Sequence, residues 1–142
     1  MEIAHVRRQV TRAIENARRA ATEHRQNASA AEQGYQAFIT DIATPLVRQV
    51  ANVLKAEGYP FAVHTPSGGL RLTSERSRDD YLEFTLDTDA SPPQVTGRVS
   101  RGRGSRVTSE ERQVKPGAPV ESITEEDLLT FVIDVIGPWV ER

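Results

Sequence analysis

The chain predicts an α+β fold: N-terminal helices, an antiparallel meander of four or five strands, and a C-terminal helix, with helices packed on one sheet face. Three observations carry this. Apolar residues recur at spacings of three and four as far as Leu54. The period changes to two after Gly58. The last nineteen residues, Thr124 to Arg142, form a capped apolar helix. A chain of 142 residues is the size of one domain and buries enough surface to fold without a metal or disulfide.

Residues 1–57 read as helical. Ile3, Val6, Val10, Ala13, Ala17 and Ala20 make a heptad-like seam, which loses its apolar character at His24 and Asn27 and resumes in register at Ala31 and Phe38. Alanine permits close approach of a partner but buries little area. A stronger stripe runs Tyr35, Phe38, Ile39, Ile42, Leu46, Val47, Val50, Val53 and Leu54. Thr44-Pro45 lies inside it, as either a cap with the first residue of a second helix or a kink in one long helix. Gly58 suits a helix C-cap, and Pro60 a stop.

Strand signals follow. Phe61 and Val63 alternate with Ala62 and His64, and Leu70 and Leu72 with Arg71 and Thr73. Leu82, Phe84 and Leu86 alternate with polar residues in the cleanest strand, and Val95, Gly97 and Val99 make a fourth. Turn-forming Thr65-Pro66-Ser67-Gly68-Gly69, Ser77 to Asp80 and Asp87 to Pro93 separate them. Short connections imply an antiparallel meander with one apolar and one polar face. The Gly-, Arg- and Glu-rich stretch 101–121 reads as a flexible loop, with a fifth strand open near Arg106 to Val114.

The C-terminal helix starts at Thr124, whose hydroxyl can cap it, with Asp127 in the capping-box position and Ile123 and Leu128 placed for a hydrophobic staple. Its body is apolar nearly all round, so burial on several sides is expected. Leu82, Phe84, Phe131, Ile133 and Trp139 are the expected central core. Three apolar helical stripes then compete for one sheet face. Residues 31–142 form the compact part, and residues 1–30 are left to project and pair with another chain.

Composition excludes several chemistries. With no cysteine there is no disulfide, thiolate catalysis or Cys-ligated zinc. No apolar run approaches the roughly 20 residues that span a bilayer, and no signal-peptide pattern opens the chain, so a cytoplasmic protein without membrane partners is expected. Net charge is −2, against nucleic-acid binding as the first reading. Sixteen of the eighteen basic residues are Arg, a bias that fits a GC-rich bacterial genome.

No motif assigns a reaction. Phosphate-binding Gly-Lys-Ser/Thr and Gly-x-Ser-x-Gly patterns are absent. His5 and His24 do not share a helix face, and neither has a recurring metal-ligand spacing, so no metal and no cofactor is expected. Asp87-Thr88-Asp89 lacks the rest of a calcium loop. His64 on the polar sheet face, which Glu83 on a nearby strand could approach, is the acid–base candidate, and an enzyme would have His64, Glu83 and Arg71 converging in a pocket there, though a solvated histidine is commoner. Arg98, Arg101, Arg103 and Arg106, with Gly102 and Gly104, could follow a phosphate backbone, but lack interleaved aromatics. The seam of Ile3, Val6, Val10 and Ile14 is the expected interface. The function expected is therefore a non-catalytic interaction or adaptor module that self-associates, its partner itself or another protein. Nucleic-acid or polyanion binding through 98–106 is the alternative, and a small enzyme or ligand binder on the polar sheet face comes third.

Overall fold

The computed structural model describes residues 1–141 and has the α+β architecture expected. Helix α1 spans Ile3–Phe38. A single wide π-turn, Ile39–Ala43, joins it without a break to α2, Thr44–Ala56. So residues 3–56 form one helical run. Pro45 explains the wide turn. An ordinary α-turn would need the N–H of residue 45 for the carbonyl of Asp41, and proline has none. The extra residue lets the Thr44 N–H reach back five residues to the Ile39 carbonyl. At the far end Gly58 takes a φ of +92°, the Tyr59 N–H bonds the Leu54 carbonyl at 2.8 Å, and the Gly58 N–H bonds that of Lys55. These are the paired bonds of a Schellman cap.

Five strands follow: β1 (Phe61–His64), β2 (Leu70–Ser74), β3 (Tyr81–Asp87), β4 (Gln94–Arg103) and β5 (Arg106–Gln113). They pair in sequence order, all antiparallel. The stretch read as a flexible loop over 101–121 is thus paired backbone as far as Gln113. Gly104, with a φ of +59°, opens a two-residue turn that lets β4 and β5 fold back on each other. Helix α3 spans Glu125–Val140. Its capping box is formed as read: Thr124 Oγ1 accepts the Asp127 N–H at 3.1 Å, and Asp127 Oδ2 accepts the Thr124 N–H at 3.0 Å.

Alternation puts Leu70, Leu72, Leu82, Phe84, Val95 and Val99 on one sheet face, all at most 2% exposed. Helix α2 covers β1 and β2, and α3 lies over the other side of that face, where Phe131 meets Phe84 with ring centroids 6.2 Å apart. Trp139 stacks on Phe61 at 5.5 Å. Gly97 sits beneath α3, where a Cβ would come within 2.7 Å of Phe131 Cζ. The strand is bare at that position because the ring occupies the space.

One core expectation fails. Ile133 is 54% exposed. The core side of α3 is filled by Leu128, Phe131, Val132, Val135 and Trp139. Ile133 precedes Val135 by two residues, which puts it about 160° away round the helix. An all-round apolar helix was expected to be enclosed; within one chain it is enclosed on one side only.

Candidate interaction surfaces

The most extended unpartnered surface is the first two-thirds of α1. Every residue from Met1 to Asn27 is exposed. Burial begins only at Ala31, where the helix meets the segment around Val120. The free arm, residues 3–27, is about 37 Å long at 1.5 Å per residue. Ile3, Val6, Val10 and Ile14 lie on it, 44% to 79% exposed and without a partner in the chain. They share one face, within about 40° of Val10 round the helix. Arg7 and Arg18 flank that face, about 60° and 80° from Val10. Residues 1–27 carry six arginines against three glutamates.

A second apolar surface was missed in the sequence. Leu46, Val50 and Val53 of α2 face Leu129, Ile133 and Ile136 of α3 across an open groove of about 310 Å³. Of these residues the sequence places only Ile133 in the central core, with Leu46, Val50 and Val53 in the helical stripe that could cover the sheet. The signal was present in α3, whose apolar positions cover too wide an arc for one sheet face to bury. Glu125 and Glu126, both exposed, lie on the same side of α3 as Leu129. The two cations of α2, Arg48 and Lys55, point about 150° away from Val50. The groove therefore has an apolar floor and an acidic end.

The four arginines read as one loop are divided by the pleat. Arg98 pairs in register with Glu83 and Glu111 on the face away from the helices. Arg101 points the other way, toward α3, with a guanidinium nitrogen 3.5 Å from the Val135 carbonyl and 3.7 Å from Glu110. Arg103 and Arg106 face each other across the hairpin turn, both exposed. So Arg103 and Arg106 remain together at a solvent-facing tip, while Arg98 and Arg101 do not join them.

The polar sheet face is a charged row crossing all five strands: His64, Arg71, Glu83, Arg98 and Glu111 are successive register partners. Arg71 stands between His64 and Glu83, 3.8 Å from the carboxylate of Glu83 and 3.9 Å above the Tyr81 ring. His64 and Glu83 sit two strands apart, roughly 10 Å between backbones. The acid–base pair considered for them does not form, because an arginine takes the intervening position. His24 lines a hollow with Asn27, Pro92 and Glu121, and His5 lies out on the arm, so the histidines do not converge. Among the described residues no group of three or more His, Asp or Glu side chains is arranged to hold a metal ion.

Two ionisable groups are shifted. Burial pushes the Tyr35 phenol well above its usual range, and the negative charge of Glu83 adds to this. Its hydroxyl is buried with no hydrogen-bond partner among the described residues. Asp127 is held below the usual carboxylate range, first by the Thr124 backbone N–H and then by Lys115, whose Nζ lies 3.0 Å away. Both shifts follow from packing and capping, and neither group lies on the arm or in the groove.

No helix among the described residues is long and apolar enough to cross a membrane. The chain matches no protein family, and no curated protein or solved structure is significantly similar to it.

Proposed function

We propose that the protein is a non-catalytic interaction module that self-associates, with the free arm of α1 as its contact element. The observation that carries this reading is the arm itself. About seven helical turns stand clear of the domain and still carry an apolar stripe. In proteins most helical stability comes from packing of an apolar face rather than from propensity, and the arm's face is left exposed within the chain. A stripe of Ile and Val kept at heptad spacing supports packing against another helix. The remaining surfaces favour association over catalysis. The histidine on the sheet face has an arginine for its neighbour, and among the described residues no nucleophile, base and orienting group converge.

The reading is tested by the Val6→Glu/Val10→Glu double variant. Both positions are exposed, so the domain should keep its melting temperature while association is lost in sedimentation. An unchanged mass would remove the arm from the contact. Polyanion binding is a separate reading, resting on Arg103 and Arg106 at the hairpin tip and on the arm's excess of arginine. Retention on heparin that disappears near physiological salt would support it.

A further inference from the structure

We propose that the arm of α1 docks in the α2–α3 groove of a second copy of this chain. This rests on the self-association reading and specifies where the arm goes. Among the described residues, every large hydrophobic side chain left exposed lies on the arm or in the groove, with Val107 the one exception. Each surface lacks what the other supplies. The groove is a channel between two helices, open on one side, and a third helix laid along it would complete a small bundle. The lengths agree: Leu46 to Val53 and Leu129 to Ile136 are each about two turns, as is Val6 to Ile14.

Charge separates this arrangement from arm-to-arm pairing. Two arms side by side would set six arginines against six, with three glutamates on each arm to offset them. In the groove, Arg7 and Arg18 on the flank of the stripe approach a channel whose groove-side charges on α2 and α3, among the described residues, are the acidic Glu57, Glu125 and Glu126. Arm-to-arm pairing would also leave the groove open to water. Exchange in both directions across a two-fold axis covers both surfaces in both copies.

The arm cannot reach its own groove. Val10 and Val50 lie on one helical run, 40 residues or roughly 60 Å apart along the axis. Any contact between them is therefore between two chains.

The absence of native cysteine makes a direct test possible. Val10→Cys and Ile133→Cys are prepared separately, one carrying a size tag, then mixed, allowed to exchange and oxidised. Both sites are exposed, so both variants should fold, and a thermal melt checks it. The expected result is a mixed disulfide between tagged and untagged chains as the main product, with little Val10Cys-to-itself linkage. A Val10Cys-to-itself product without the mixed one would overturn the groove proposal and leave self-association through the arm standing. No cross-link, with a monomeric mass for the unmodified protein, would overturn both.

Discussion

Replacing Gly97 by Ala should destabilise the protein, against the usual direction. In an ordinary strand, alanine for glycine is favourable by roughly 0.5–1 kcal/mol, because glycine has more backbone freedom to lose. Here the added Cβ would meet Phe131 Cζ at 2.7 Å, Phe131 Cε1 at 2.9 Å and Leu82 Cδ1 at 3.0 Å. Carbon atoms rest at about 3.5–4.0 Å, so the ring must withdraw by close to an ångström. It has little room, with Phe84 against one side and the Arg112 guanidinium 5.4 Å from its centre. Overpacking of this kind costs about 1–3 kcal/mol, which should outweigh the entropic gain. Net of that gain the loss is up to about 2.5 kcal/mol, a fall of up to roughly 10 °C in melting temperature for a domain of this size. Thermal melts of Gly97→Ala, Phe131→Leu and the double variant measure it. The smaller side chain should relieve the clash, so the double variant should be more stable than the sum of the two single effects allows. A neutral or stabilising Gly97→Ala, or strict additivity, would show that α3 does not press on β4 at this point.

Four further outcomes are expected. Tyr35→Phe should leave stability at neutral pH unchanged or slightly raised, since it removes a buried hydroxyl that has no partner. The phenol's folded-state pKa is raised, so its contribution is intact below about pH 10 and is lost as the unfolded chain ionises above that. The variant should therefore lose less stability in alkali than the parent in parallel denaturant titrations. Thr124→Ala should cost about 1 kcal/mol through the lost cap. Asp127, held below the usual range, stabilises above about pH 4 and ceases to as pH falls through its folded value. Asp127→Asn should accordingly flatten the acid limb of the stability curve, and an unaltered limb would argue against the capping box. Finally, Arg103→Ser/Arg106→Ser should leave the melting temperature within a few degrees, since both side chains are exposed. If the hairpin tip binds a polyanion, the same change should lower both heparin affinity and its salt slope.

Local chemistry made most of the fold legible. The Thr124–Asp127 cap, the Gly58 stop and the two-residue alternation of β2 to β4 are short-range patterns, and each formed where its residues allowed. Pro45 is legible only as an alternative, because a missing N–H fits a helix start or a kink equally, and a single wide π-turn that keeps one run going is a third way to accommodate it. Strand β5 reads mainly as loop in the sequence. Its polar sequence offers no apolar face, and it is held by pairing with β4. The misplacement of Ile133 has a similar origin. Periodicity shows that a residue lies on an apolar helix, but not which of two apolar sides meets the sheet. The groove could not be read from either helix alone, since it exists only where α2 and α3 lie side by side. Strand parity separates Arg98 from Arg101, yet that parity becomes certain only once the stretch is known to be strand.

Self-association, as proposed, implies that this chain does not remain single in solution. Light scattering on the unmodified protein at tens of micromolar, coupled to size-exclusion chromatography, measures it directly. A self-associating chain should show a molar mass of twice 15.7 kDa or a larger whole multiple, falling toward a single chain on dilution. A constant mass of 15.7 kDa across that range would contradict it, and would leave the arm of α1 a solvated helix without a partner of its own kind.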